Sequence, residues 1–354
     1  MKKVLTVDLP GREYDILIQR GLLDRAGEEV KWVLPKANRL FVVSDTNVAP
    51  LYLKRVQDSL ERAGYQVGTM VVPAGEASKC MEQLSALWEA MMAFGLTRTD
   101  AAVALGGGVV GDLAGFAAST VLRGVDFVQI PTTLLAQVDS SVSGKVAIDL
   151  KAGKNLAGAF WQPRLVLMDP EVLSTLSEDV FAAGMAEVIK YGCIFDKAFF
   201  DFLAARPQRA KLMEEIEYIL YTCCEFKRNV VLEDERDTGR RMLLNFGHTL
   251  GHAYELAGKY EKWSHGEAVA AGMCLAARLG VRLGVTPEEV PDRIETVVAG
   301  LGLPTSIACA KEDYAAAIGL DKKGSGSDIS LILLSELGHG SAHKMPKKEV
   351  LDLL

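Results

Sequence analysis

Ala101-Ala102-Val103-Ala104-Leu105 runs straight into Gly106-Gly107-Gly108-Val109-Val110-Gly111-Asp112, and a helix-like stretch, 113–122, follows. A short apolar run, a glycine turn and a helix start form the G-x-G-x-x-G context, in which backbone N–H groups at a helix N-terminus cradle a pyrophosphate. The ordinary dinucleotide fingerprint also asks for an acid at the end of the following strand, to bind the ribose. That place falls around 129–133 and holds no carboxylate; the nearest acidic strand end is Asp45, upstream. The turn therefore reads as a nucleotide cradle outside the usual dehydrogenase pattern or as a tight structural turn, with Asp112 a ligand or a helix cap. A second polar glycine turn, Pro73-Ala74-Gly75-Glu76-Ala77-Ser78-Lys79, closes another strand and favours the cradle. Dinucleotides lie along the carboxyl edge of such sheets.

Working outward, short apolar runs at 4–7, 14–18, 40–44, 66–72, 127–130 and 165–168 are bounded by Gly, Pro, Asn or Asp and read as strands. Helical patterns lie between several of them: in 52–63, Leu53, Val56 and Leu60 share one face, and 80–94 reads similarly. Alternating β and α units predict a mostly parallel, Rossmann-like sheet with helices on both faces. Beyond 170–177 the texture changes to helical windows at 179–203, 210–231, 242–256, 267–283, 287–299 and 312–318, with a strand expected only at 329–334. The expectation is an α/β nucleotide-binding domain over 1–176 and a predominantly α-helical metal- and substrate-binding domain over 177–354.

The 354 residues are 49% hydrophobic and 24% charged, which fits a globular chain and excludes disorder, collagen and coiled coil. A net charge of −7 argues against nucleic acid or anionic membrane as partners, so any anionic ligand must meet a local basic cluster. Six irregularly spaced cysteines, two of them the adjacent Cys223-Cys224, do not form a disulfide framework. A cytoplasmic location is expected, with no signal peptide at the start. The stretch 101–122 is nominally long enough to span a bilayer, but Asp112 and its glycines break it into strand, loop and helix.

Three of the five histidines, His248, His252 and His265, sit close together in the helical half. His248 and His252 are four apart and share a helix face; His265 precedes Gly266-Glu267 at an expected helix start. Two imidazoles and a carboxylate with an open position are the catalytic arrangement for zinc. The zincin motif is excluded because Thr249, not Glu, follows His248. Spacing alone leaves the carboxylate open between Glu187 and Glu267. The cations Lys145, Lys151 and Lys154 punctuate 140–160 beside Asn155, while Arg123, Lys190, Lys227, Arg241 and Lys322-Lys323 are scattered. Lys190 lies one helical turn after Glu187, and Arg241 abuts the histidine helix. Cations in polar turns near a metal suggest a phosphorylated or carboxylated substrate.

In this order and spacing, Gly106–Asp112, 131–142, 153–160, Gly184-Met185-Ala186-Glu187-Val188-Ile189-Lys190 and 244–252 resemble the 3-dehydroquinate synthase family of sugar phosphate cyclases, over nearly the whole chain. The resemblance implies an active site in the cleft between the two domains and a zinc or cobalt ion held by Glu187, His248 and His265. His252 then is not a ligand but either supports the ligands from behind or handles protons. It implies NAD against Asp45, Asn47, Glu76, Lys79, Gly107, Gly108, Val109, Gly111, Asp112, Thr132, Thr133, Asp139, Ser140, Lys145, Lys154 and Thr175. Lys145, Asn155 and Arg241 would meet the substrate phosphate, with Arg123 arriving from a neighbouring subunit of a homodimer. Lys190, Lys227, Asn245 and one of Lys322 or Lys323 would hold the rest of a phosphorylated sugar acid.

Two departures stand out. The family's Val-Gly-Gly-Lys-Thr is Val142-Ser143-Gly144-Lys145-Val146 here, and its Glu-x-Gly-x-Arg is Asp237-Thr238-Gly239-Arg240-Arg241. The implied reaction is NAD-mediated oxidation, β-elimination of phosphate, re-reduction, ring opening and aldol closure. Rival readings are a metal-dependent polyol dehydrogenase, another sugar phosphate cyclase and a non-catalytic nucleotide-binding scaffold. The phosphate-binding set argues against the dehydrogenase.

Overall fold

A computed structural model describes residues 2–235, 239–320 and 327–354. The chain divides into two compact units, Met1–Leu176 with Leu220–Arg228, and Ser177–Ile219 with Asn229–Leu354. The middle of the helix Ile216–Glu233 is therefore grouped with the first unit although its ends belong to the second.

In the first unit, β1 (Lys3–Val7), β2 (Tyr14–Ile18), β3 (Arg39–Asp45), β4 (Gln66–Val72), β5 (Ala101–Gly106), β6 (Asp126–Pro131) and β9 (Leu165–Met168) form one sheet, ordered β1-β2-β9-β6-β5-β3-β4. Only β1 pairs antiparallel, with β2; every other pairing is parallel. All six residues of β5 are buried, as a central parallel strand covered on both faces requires. The edge strand β4 is mostly exposed or half-buried. Leu84 and Leu87 of the helix Met81–Phe94, Val110 and Leu113 of the helix Gly108–Thr120, and Phe127 of β6 share a core with Phe41 and Val43.

One feature lay outside the sequence reading: β7 (Lys145–Leu150) and β8 (Gly153–Phe160) form a separate antiparallel hairpin. Val146 and Ile148 of this hairpin enter the same core. Because the parallel strands point one way, Asp45, the turn after Val72, Gly106 and Pro131 all come to one sheet edge.

In the second unit the expected helical windows are subdivided. The window 179–203 splits into Glu178–Phe195 and Lys197–Ala204, because Asp196 takes an extended conformation and its side chain caps Phe199 N at 3.0 Å. The window 210–231 becomes Arg209–Glu214 and Ile216–Glu233, and 242–256 begins as a 3-10 turn, Arg240–Asn245, before the helix His248–Ala257. The helices His265–Arg282, Glu289–Gly300 and Lys311–Leu320 follow.

The strand expected at 329–334 is β10 (Asp328–Glu336), and it pairs with β11 (His339–Pro346), so the expectation of a single strand is corrected. The sequence of β11, HGSAHKMP, carries no apolar run, since its only buried residue is Met345.

Candidate active site

Two close backbone approaches bring the helices of the second unit together. A Cβ on Gly266 would lie 2.1 Å from the carbonyl oxygen of Ala183, and one on Gly272 would lie 2.1 Å from that of Gly247. Only glycine permits such contacts. The first sets the helix His265–Arg282 against Glu178–Phe195; the second sets it against the start of His248–Ala257.

Glu187, His248 and His265 meet as a result, each with a ligand atom within 4.8 Å of the others. Nε2 of His248 is 3.4 Å and Nε2 of His265 3.7 Å from Glu187 Oε1. That oxygen is buried and has no hydrogen-bond partner. Its other oxygen pairs with the buried Lys190 ammonium one turn along the helix. Glu267 is engaged elsewhere: Ser264 N donates to it at 2.8 Å, and its own backbone N–H donates to Ser264 Oγ at 3.3 Å, a capping box. The geometry therefore groups Glu187, not Glu267, with the histidines.

Electrostatics draw positive charge to these groups, and a proton on His265 would have to leave before an ion bound there. Burial and the nearby Lys190 charge push the His248 ring down to about 3, leaving it neutral with a lone pair. Burial acts the same way on His265, but the Glu187 and Glu255 carboxylates outweigh it and lift that ring to about 10. Burial works to raise the Glu187 carboxyl; Lys190, His248 and His265 overcome it and hold the group well below the usual carboxylate range. An orphaned carboxylate oxygen facing two imidazoles is a donor set that a zinc-like ion fits.

His252 lies on the same helix, its ring centroid 6.0 Å from that of His248, and its side chain is 58% exposed. It stands outside the group of three. Sequence reasoning missed Glu255, a buried carboxylate with Oε1 3.3 Å from His265 Nδ1. Its position seven residues after His248, on the same helical face, was the available signal. Arg241 is buried, with Nη1 donating to the Glu235 carbonyl at 2.6 Å and its backbone N–H donating to Asp234. Asn245 ends the 3-10 turn before the helix. Asp237, Lys322 and Lys323 lie outside the described residues.

In the first unit several of the expected cofactor residues lie at or just after the carboxyl ends of the parallel strands. Asp45 Oδ1 accepts from Asn47 N at 2.8 Å and Val48 N at 3.0 Å, closing the turn after β3. Lys79, only 4% exposed, donates to Asp112 at 2.8 Å and to Asn155 Oδ1, and lies 3.4 Å from Glu76. Burial acts to lower the Lys79 ammonium, yet Asp112 and Glu76 raise it overall. Burial pushes the Asp112 carboxyl up to about 6, even against Lys79.

Asn155 has a left-handed φ of 54° and its N–H donates to Asp149, a second acid the sequence reading did not single out. Lys227 donates to Asp139 Oδ1 at 2.6 Å and to its carbonyl at 2.7 Å. The Thr175 hydroxyl is 2.7 Å from that of Tyr52. Lys145 opens β7 and is exposed; Lys154 is half-buried in β8. Arg123, also exposed, sits between Leu122 and Gly124 in a run of three positive-φ residues.

The glycine turn is not a left-handed one: Gly107 has φ −75° and caps the helix Gly108–Thr120. Glycine serves there by leaving space, since a Cβ on Gly107 would be 3.1 Å from Thr133 Cγ2 and one on Gly108 3.2 Å from Ser140 Oγ. Gly108, Val109, Val110 and Gly111 open the helix and Asp112 follows them, and the buried Thr132 hydroxyl has no hydrogen-bond partner. An uncrowded helix N-terminus with an orphaned hydroxyl fits a dinucleotide phosphate. The Ser143 departure is accommodated because Gly144 (φ 65°) takes the left-handed step and Ser143 does not.

Residues 69–183 match the family model described as 3-dehydroquinate synthase N-terminal, and residues 184–324 the one described as 3-dehydroquinate synthase C-terminal. The chain is 47% identical to the 3-dehydroquinate synthase of Clostridium beijerinckii, over 96% of this chain and 97% of that one. Among solved structures it resembles 2-deoxy-scyllo-inosose synthase complexed with carbaglucose-6-phosphate, NAD+ and Co2+, with a TM-score of 0.89 at 26% identity, covering 100% of this chain and 99% of that one. It also resembles 2-epi-5-epi-valiolone synthase from Streptomyces hygroscopicus subsp. jinggangensis with NAD+ and Zn2+ bound, with a TM-score of 0.86 at 26% identity over 96% and 95% of the two chains. Among the described residues, no helix is long and apolar enough to cross a membrane.

Proposed function

The chain belongs to the 3-dehydroquinate synthase family, and on that premise we propose that it converts 3-deoxy-D-arabino-heptulosonate 7-phosphate to 3-dehydroquinate and inorganic phosphate. It acts as a carbon–oxygen lyase of the shikimate pathway, feeding aromatic amino acid biosynthesis. The observation that carries the reading is the buried Glu187 carboxylate with one oxygen on Lys190 and the other, unpartnered, between His248 and His265.

Glu187, His248 and His265 would hold a zinc or cobalt ion. NAD+, bound at the carboxyl edge of the sheet, would supply a hydride acceptor regenerated within each turnover, and the ion would polarise the reacting hydroxyl. The N–H groups after Gly107, with Thr132, Thr133 and Ser140, would bind the dinucleotide phosphates. Asp45, Asn47, Asp112, Lys154 and Thr175 would hold the rest of the dinucleotide, and Lys79 would keep Glu76 and Asp112 in place. Lys145, Asn155 and Arg241 would grip the substrate phosphate until it leaves, joined by Arg123 of a neighbouring subunit in a homodimer. Lys190, Lys227, Asn245 and one of Lys322 or Lys323 would contact the carboxylate and hydroxyls. Lys190 and Lys227 are buried cations, so each stabilises developing negative charge with little screening by water. The exposed His252 would pass protons to and from solvent. We place the enzyme in the cytoplasm.

The test is phosphate release from the heptulosonate phosphate by purified protein with NAD+, with and without a chelator. Chelator-sensitive release with no accumulation of NADH is expected. NADH formed from simple polyols, with no phosphate released, would transfer the case to the dehydrogenase.

A further inference from the structure

The two histidines of the Glu187 group are both engaged through Nδ1, and by different partners. His248 Nδ1 is 3.2 Å from the Phe246 carbonyl, a backbone acceptor fixed by the turn before its helix. His265 Nδ1 faces instead the side-chain carboxylate of Glu255, at 3.3 Å. Glu255 is 5% exposed and belongs to the helix His248–Ala257, whereas His265 opens the next helix. One carboxylate thus ties the two histidine-bearing helices together at the point where both rings turn Nε2 toward Glu187. A backbone carbonyl cannot be removed by mutation of its own side chain, but the Glu255 carboxylate can.

We propose that Glu255 is a positioning residue for a divalent transition metal. Its carboxylate accepts the Nδ1–H of His265, holds the ring in the tautomer whose Nε2 carries the lone pair, and aims that nitrogen at the ion. The inference rests on the reading of Glu187, His248 and His265 as metal ligands. A buried carboxylate behind a ligating imidazole raises the ligand's basicity and restricts its rotation, and loss of such a partner weakens metal binding about 10–100-fold.

The experiment is competition for Zn2+ between the metal-free full-length protein and a chromophoric chelator, run on the parent, E255A and E255Q. Circular dichroism of the metal-free proteins accompanies it, as does the visible spectrum after Co2+ loading. E255Q keeps the side-chain volume, so it decides the matter if E255A does not fold. We expect Zn2+ affinity to fall about 10–100-fold in E255A and by about tenfold in E255Q, with parent-like circular dichroism and an altered Co2+ ligand-field band. A merely structural role for Glu255 would change folding and leave the affinity of the folded protein alone. Zn2+ affinity within twofold of the parent in folded E255Q, with an unchanged Co2+ band, overturns the inference. A parent protein that binds no Zn2+ overturns the metal-site reading itself, a separate outcome.

Discussion

Replacing Asp112 by Asn removes a carboxylate that the fold holds at a cost. The group follows the first turn of the helix Gly108–Thr120, with its side chain 20% exposed, 2.8 Å from the Lys79 ammonium. Burial nevertheless lifts its pKa from 3.8 to about 6. For an acid raised on folding, the native state keeps a proton that the unfolded chain has released, so stability falls as pH climbs from about 4 to about 6. Below that window the carboxyl is neutral in both states and contributes nothing; above it the whole penalty is present. Two pH units correspond to about 3 kcal/mol. The residual exposure lets water screen part of that penalty, so D112N is expected to be about 1–3 kcal/mol more stable than the parent at pH 7.5. Glu76 and Asp149, 3.4 and 4.0 Å from the Lys79 ammonium, remain to keep Lys79 charged. Urea unfolding without NAD, at pH 7.5 and 4.5, measures the difference, which should shrink at the lower pH. A variant less stable than the parent at pH 7.5, or a gap indifferent to pH, would refute the reasoning. On the proposal that Asp112 contacts NAD, the same variant should also bind NAD more weakly, stability being traded for binding.

Three further outcomes follow from the geometry. H248A should retain less than about a tenth of the parent's zinc, measured by elemental analysis, and lose about 10³-fold in turnover, because a carboxylate and one imidazole are left to hold the ion. G266A places a Cβ 2.1 Å from the Ala183 carbonyl oxygen, so the two helices must part; a loss of about 1–3 kcal/mol in thermal unfolding and weaker zinc binding are expected together. S143G should leave phosphate release within about twofold of the parent, since Gly144 already supplies the left-handed step; a rise well beyond that would mean that the serine itself disturbs the turn.

What could be read from the chain alone tracks how local each physical cause is. Strand β5 announces itself because burial on both faces demands an unbroken apolar run, Ala101–Gly106. The β7–β8 hairpin does not, because β7 buries only Val146 and Ile148, separated by Ala147, and β8 buries none of its residues, so neither strand demands an unbroken apolar run. His248 and His252 share a helix face by spacing, yet spacing cannot say that His252 points toward solvent while His265, from another helix, completes the group. That meeting depends on Gly266 and Gly272, whose missing side chains let backbones touch. A glycine in a sequence does not disclose which backbone it will meet.

The carboxylate is a different case. The spacing of the histidines does not choose between Glu187 and Glu267, but Ser264-x-x-Glu267 at a helix start is a capping-box signature. A glutamate whose carboxylate accepts from the backbone N–H of Ser264 is turned toward its own helix terminus. Glu187, by contrast, lies mid-helix with Lys190 one turn on, far from any helix terminus that its carboxylate could cap. Lys190 meets one oxygen, and the other, 3.4 and 3.7 Å from the two imidazoles, is where the proposed ion would bind.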